Sequence, residues 1–416
     1  MIPLEEARGL AAAQAALSPV QVPVEQGLGC VLAEPVRTLL PIPHADTSAM
    51  DGWAVTADPP GQGWEVSPIA ATGPADILEP LQSGQAAGVV TGSPIPEGAS
   101  SVLRSEHSRR DEQGRLHAEP ETPDLSPGRN IRTRAAEADQ GEELLAAGDL
   151  LTPLRAATAA VAGVDTLLVR PRPRAQIIAT GTEVISSGIP APGEVRDSFS
   201  MALPALLTAM GAQPQGQILR NPDDAEALAA SLAPGPDSPE LVVTVGGTAH
   251  SPADPLRRAL AARSAQILFP AVDMRPGHPV VLAQLPESAP GQATYVLGLP
   301  GNPLAGYAAL TAIGLPLINA LRGFPESAAA QPRRMRAGQD LEPARKGTRL
   351  LPVRYTPNGV VPAGFDRPHM MRGLAHAQAF AIVPTGDRGE GIPAGAPVDC
   401  LPIPTQQEVG IQPWDD

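Results

Sequence analysis

Cysteine is scarce in this 416-residue chain: Cys30 and Cys400 stand far apart, with no CxxC or Cys/His spacing beside either. Neither a structural zinc site nor a disulfide framework is indicated, and both thiols are expected to be buried in a reducing compartment. Positive charge is also short, with 30 lysines and arginines against 44 acidic residues. The net charge of -14 disfavours general attraction to nucleic acid or to an anionic membrane, so an anionic ligand would need a local basic pocket. No apolar stretch reaches the ~20 residues of a membrane span. The opening residues Met1-Ile2-Pro3-Leu4-Glu5-Glu6-Ala7 lack the basic and apolar regions of a signal peptide, and a soluble cytoplasmic protein with no membrane partner is expected. No internal repeat indicates a solenoid.

Proline, by contrast, is abundant, 50 of 416 residues, more than twice the usual share of roughly 5%. The prolines are scattered, which predicts many short segments joined by stiff turns. The length suggests about three domains, each with its own core. Residues 4 to 17, rich in alanine and leucine with early glutamates, predict a helix. From about Pro41 to Arg134 short apolar runs broken by glycine and proline predict a small β domain. Between 171 and 324, the apolar runs Ala175 to Thr180, Leu241 to Val245 and Tyr295 to Leu299 each lead into a Gly-bearing turn, the pattern of a parallel α/β sheet. Asp254-Pro255 and Asn302-Pro303 precede apolar segments as a cap residue followed by proline. After Gly323 a basic joint around Arg333-Arg334-Met335-Arg336 leads into short strands and a further β domain.

Ligands in such sheets collect at the carboxyl ends of strands. Thr180-Gly181-Thr182-Glu183 and Val245-Gly246-Gly247-Thr248 follow strands, where glycine lets backbone N–H groups approach an oxyanion and small hydroxyls add donors. Either turn alone also fits an ordinary strand-to-helix connection. Glu183, Asp197 and Asp254 lie near these turns, and carboxylates at strand ends can hold Mg²⁺ beside a phosphate. Asp254 before Pro255, and Asp197 before Ser198, serve equally well as helix caps. Arg275 and His278, in Met274-Arg275-Pro276-Gly277-His278-Pro279, offer cationic or hydrogen-bonding groups on a loop stiffened by two prolines. His44 and His250 have no partner at metal-ligand spacing. Asp51 in an Asp-Gly turn, and Thr91 opening Thr91-Gly92-Ser93-Pro94-Ile95-Pro96-Glu97-Gly98, read from sequence as turn chemistry.

Two stretches carry a resemblance. Pro43-His44-Ala45-Asp46-Thr47-Ser48-Ala49-Met50-Asp51-Gly52-Trp53-Ala54 and, far downstream, Gly298-Leu299-Pro300-Gly301-Asn302-Pro303 together resemble the molybdopterin molybdenumtransferases, that is, MoeA and the C-terminal part of gephyrin. Thr91 to Gly98 and Asn130-Ile131-Arg132 look like further family motifs, and the match runs nearly the whole chain. The resemblance implies a multidomain α/β plus β fold: a helical linker domain from residues 1–40 and 137–170, a β insertion domain over 41–136, a three-layer molybdopterin-binding α/β domain over 171–324 and a C-terminal β domain over 325–416.

It further implies an Mg²⁺-dependent enzyme of molybdenum cofactor biosynthesis that takes adenylylated molybdopterin and molybdate and releases AMP. A homodimer is implied, with Asp51 and Thr91 of one subunit facing the α/β site of the other, and molybdopterin adenylyltransferase is the pathway partner. By resemblance Asp51, Thr91, Glu183 and Asp254 are catalytic, with Glu183 and Asp254 as metal ligands. Thr180, Gly181, Asp197, Ser198, Gly246, Gly247, Arg275, His278, Pro300 and Pro303 bind the cofactor. Several family positions differ here. Thr182 replaces an acid, Phe199 replaces the Asn of Asp-Ser/Thr-Asn, Val245 replaces a serine, and Arg275 and His278 replace lysines. These changes remove charge and polar groups from the nucleotide and molybdopterin side, so altered or weaker ligand binding is expected. The alternatives are a catalytically weak paralogue that binds or carries molybdopterin and, after it, a molybdopterin adenylyltransferase.

Overall fold

The computed structural model describes residues 1–57, 61–67, 79–235, 237–247, 254–288, 291–325, 331–385 and 390–404. The chain divides into two compact units. One holds Met1–Val20, Gly29–Ala33 and the described residues from Val169 onward; the other holds Gln21–Leu28 and the described residues of Glu34–Leu168.

The first unit is built on a sheet whose strands run Gln213–Pro214, Arg174–Thr180, Leu241–Val245, Tyr295–Leu299, Val281–Gln284, Gln266–Phe269. Arg174–Thr180, Leu241–Val245 and Tyr295–Leu299 are parallel, with Ala179 opposite Val245 and Val245 opposite Leu299, so they end side by side. Every residue of the second and third of these is buried, as a sheet covered on both faces requires. Alternate side chains face opposite layers. Ile177, Val243 and Leu297 pack with the helix Phe199–Ala209 and the long helix that starts at Pro303, whereas Ile178, Val242 and Val296 pack with the helices Ala225–Ser231 and Pro255–Ala262. This is a three-layer α/β arrangement. The sheet is not wholly parallel, as its sequence pattern suggested: Val281–Gln284 and Gln266–Phe269 are antiparallel to their neighbours. Only residues 285–294 join Val281–Gln284 to Tyr295–Leu299, too short a link for a helical crossover.

Pro303–Leu321 is one 19-residue apolar run of mean hydropathy 1.6, and 89% of it is buried, so the protein core accounts for its composition. A π-helical turn at Leu310–Gly314 joins its two α-helical halves. Pro316 has no N–H to offer the Ala312 carbonyl one turn earlier. The buried Arg8 guanidinium fills that place, Nη1 donating to Ala312 O at 2.9 Å. Arg8 comes from the helix Leu4–Ala12, which stops earlier than the expected 4–17. Beyond it, Leu17 N donates to Leu321 O and Leu17 O accepts from Arg170, so these backbone groups serve tertiary contacts instead of a helix.

The second large sheet of this unit runs Ile2–Pro3, Val272–Arg275, Thr348–Thr356, Ala379–Val383, Pro397–Pro402, Arg333–Arg336, with Gly359–Pro362 also on Thr348–Thr356. Two features depart from expectation. Arg333–Arg336 is a strand rather than a joint, its Met335 buried and its arginines outward, as charged edge strands often are. Val272–Arg275, inside the α/β segment of the chain, leaves its own sheet to join this one.

In the second unit Gly52–Val55 lies between Gln85–Val89 and Ser101–Arg104, antiparallel to both. A Cβ on Gly52 would run into the Leu103 carbonyl, which explains the glycine after Asp51. Thr47–Ser48 pairs with Ile131–Arg132, Ser48 N donates to Ser93 O and Ala49 N to Asn130 O. Three motifs distant in sequence are thus hydrogen-bonded neighbours. Residues 137–170 carry the helix Pro153–Val161, but also the strands Glu143–Leu145 and Thr166–Arg170.

Candidate functional site

A hollow of about 630 Å³ opens where the three parallel strands end, lined by the turns that follow them and by residues 195–199. Thr180 closes the first strand, and its buried hydroxyl donates to the Val245 carbonyl at 3.0 Å, tying two strand ends together. Gly181 has φ +122°, and a Cβ there would stand 2.7 Å from the Val184 side chain and 3.1 Å from the Glu183 carboxylate. The exposed Glu183 lines the hollow. Gly246 and Gly247 also have positive φ, +87° and +62°. A Cβ on Gly246 would lie 2.6 Å from Thr180 Oγ1, so this turn admits no side chain without displacing that hydroxyl. The third turn runs Pro300-Gly301-Asn302-Pro303 into the long helix. Asn302 sits at its N-cap, and its carbonyl, not its side chain, makes the first bond, from Gly306 N at 2.9 Å.

Asp197 forms the far edge, but its carboxylate is already occupied. Oδ1 accepts from Phe199 N and Ser200 N, each at 2.9 Å, and Oδ2 accepts from Ser200 Oγ at 2.5 Å and Arg220 Nη2 at 2.6 Å. Burial alone would raise its pKa. The bonds from Ser200, Arg220 and Phe199 outweigh burial and hold the carboxyl below the usual range. Phe199 turns inward and stacks on Tyr307, ring centroids 4.8 Å apart, while the Tyr307 hydroxyl donates to Ser198 O at 2.7 Å. Burial pushes the Tyr307 phenol well up, so it stays a donor. The stack leaves no room for a side chain at Gly306, where a Cβ would meet Phe199 Cζ at 2.5 Å.

The other expected site residues fall elsewhere. Asp254 is 2% exposed and caps Pro255–Ala262, Oδ1 accepting from Arg257 N at 3.0 Å, and is not among the hollow's described lining. Arg275 ends a strand of the other sheet and donates to Met274 O at 2.8 Å. The loop expected at 274–279 is instead a strand end and a packed turn. Neither Arg275 nor His278 lines the hollow, though Pro279 does. Thr248 and His250 lie outside the described residues. Asp51 and Thr91 belong to the second unit, where Thr91 N at 2.7 Å and Thr91 Oγ1 at 3.0 Å both donate to Asp51 Oδ1. These two bonds hold the Asp51 carboxyl below its ordinary range.

Family models identify the architecture. That for the MoeA N-terminal region (domain I and II) matches residues 2–163, and that for the probable molybdopterin binding domain matches residues 176–320. A molybdopterin molybdenumtransferase of Nostoc sp. is 34% identical over 305 residues, covering 71% of this chain and 68% of its own. The chain belongs to the molybdopterin molybdenumtransferase family. A Staphylococcus aureus molybdopterin molybdenumtransferase is 27% identical over 416 residues, 96% of this chain and 95% of its own. Two crystal structures of molybdopterin biosynthesis MoeA protein from Pyrococcus horikoshii share the fold, with TM-scores of 0.73 and 0.70 over 97% and 96% of this chain and 99% and 100% of their own, at 22% and 21% identity.

Within this molybdenumtransferase hollow, sequence reasoning missed two side chains. Asp223 lines it and accepts from Thr182 N at 3.2 Å, so a carboxylate from the next connection braces the turn in which Thr182 stands where the family has an acid. His369 lines it from the C-terminal sheet's connections. Asp223 follows the short strand Leu219–Asn221, which pairs parallel with the end of Arg174–Thr180, whereas His369 follows no strand of that sheet and only tertiary proximity reveals it. Among the described residues no group of three or more His, Cys, Asp and Glu is placed to hold a metal ion.

Proposed function

We propose that this molybdenumtransferase family member inserts molybdate into adenylylated molybdopterin and releases AMP. The observation that carries the proposal is the convergence of Thr180–Glu183, Gly246–Gly247 and Pro300–Pro303 on one hollow at the strand ends. Positive-φ glycines leave backbone free to approach a phosphate, and the hollow's volume suits a ligand of nucleotide size. Among the described residues Glu183 and Asp223 are its carboxylates not already bound to a cation. That set fits an Mg²⁺ that keeps most of its waters and arrives on substrate phosphates, not a protein-caged ion. Bound there, the ion would neutralise phosphate charge. The backbone of Gly246 and Gly247, fixed by the Thr180 bond to Val245 O, would hold the phosphate end, while Asp197, Ser198 and the Phe199–Tyr307 stack keep the opposite edge in place. Asp51, pre-set by Thr91, is assigned to the hollow of a partner subunit in a homodimer.

The test is AMP release by Glu183→Ala and Asp51→Ala, each expected to lose at least about tenfold with thermal stability retained. Mixing the two variants should regain activity if the site draws on two subunits. Unchanged rates in both would sink the assignment. A second reading, binding or carriage of molybdopterin without turnover, is favoured by Phe199, an apolar ring stacked on Tyr307 at the hollow's wall, and by Arg275, which donates to Met274 O and is not among the hollow's described lining. It predicts ligand binding with no AMP release.

A further inference from the structure

On the reading that the hollow takes a phosphate-bearing anion, we propose that His369 is an additional binding residue, donating an imidazole N–H to a phosphate oxygen near Asn302 and Pro303. Among the described residues the hollow is poor in cationic donors: its carboxylates are Glu183, Asp197 and Asp223, against one arginine, Arg196, whose Nη1 donates to Gly188 O at 3.4 Å. Arg220 is held by Asp197 and Ser200. The start of the long helix, ordinarily a source of N–H donors for an anion, is depleted as well. Pro303 has none to give, and the Ala305 N–H is taken by the Pro368 carbonyl at 3.2 Å. The loop that removes this donor delivers His369 at the next position, where it lines the hollow, is exposed and makes no side-chain hydrogen bond or ion pair to a described residue.

The loop is also clamped. Asp366 pairs with Arg349, Met370 N donates to Arg367 O at 2.9 Å, and Arg372 lies 4.5 Å over the Phe365 ring. Gly373 packs so closely that a Cβ would strike the Gly364 carbonyl. A side chain on such a loop can hold an oxyanion with little ordering cost.

The experiment is calorimetric titration of the full chain with AMP, for wild type, His369→Ala and His369→Gln, alongside the release assay. The Ala variant should bind AMP about 10- to 100-fold more weakly, the worth of one hydrogen bond to a charged group. Gln, which keeps an N–H donor, should lose less. Added imidazole should restore part of the Ala variant's affinity, a response that a merely structural role would not give, and melting temperatures should match wild type. Wild-type affinity in His369→Ala, or no AMP binding by wild type, would overturn the inference. His369-dependent AMP binding without molybdate-dependent release would sink the transferase reading alone. Molybdate-dependent release and AMP affinity both untouched by His369→Ala would sink this inference alone.

Discussion

Gly246→Ala and Gly301→Ala place the same methyl group on two turns of one hollow, with opposite expected outcomes. At Gly246 φ is +87°, and an L side chain in that region costs about 1–2 kcal/mol. The new Cβ would also stand 2.6 Å from Thr180 Oγ1, a buried hydroxyl that cannot retreat without weakening its 3.0 Å bond to the Val245 carbonyl. That bond adds about 1 kcal/mol, so a loss of roughly 2–3 kcal/mol follows, read as a fall of about 4–10 °C in the melting temperature of this unit. AMP affinity should fall with it, because the displaced backbone is the proposed phosphate contact. At Gly301 the nearest atom would be Gly246 Cα at 3.6 Å, an ordinary van der Waals distance. A change within about 0.5 kcal/mol is expected there. Differential scanning calorimetry with AMP titration reads both. Equal effects at the two positions would refute the account of why glycine follows Val245.

Other perturbations test other joints. Tyr307→Phe removes the donor to Ser198 O and should cost about 1 kcal/mol in denaturant unfolding, with weaker ligand binding at that edge of the hollow. Arg8→Met leaves the Ala312 carbonyl buried without its guanidinium partner and should cost about 1–3 kcal/mol, measured the same way. In the second unit Asp124 is fully buried; burial raises its pKa, but Arg104, Asn130 and His107 outweigh it and bring it to about 2. Because the folded value lies below the unfolded value of about 3.9, its contribution is complete above that pH and is lost as pH falls toward 2. Asp124→Asn should therefore flatten the acid limb of that unit's stability profile, and an unaltered limb would contradict the pairing. Asp197 has the same sign, since its carboxyl is also held below its ordinary range, so Asp197→Asn should loosen the start of Phe199–Ala209 most clearly near neutral pH, as hydrogen exchange would show.

Much of this arrangement was legible in the residues. Apolar runs ending in glycine located the parallel strands and their turns, and Asp254-Pro255 marked a helix start, because period, cap and glycine chemistry are local. What was not legible depends on distant partners. Val272–Arg275 reads as part of an α/β segment, yet its pairing with Thr348 and Arg349 takes Arg275 out of the hollow. Asp254 looked equally suited to a metal or a cap, and of the two it is the cap, Oδ1 accepting from Arg257 N, that the fold makes with the chain itself. Phe199 appeared only as a lost polar group; the stack on Tyr307 and the glycine at 306 show it to be a packed wall. Asp223 and His369 carried no motif, and Pro316 gave the one missed hint, since a proline within a buried helix leaves a carbonyl that some donor must meet.

The most direct measurement is AMP release from adenylylated molybdopterin by the purified full chain with Mg²⁺, with and without molybdate. The account predicts release that depends on molybdate and falls in Glu183→Ala. Tight binding of adenylylated molybdopterin with no release under either condition would contradict it and leave the hollow as a carrier's binding site.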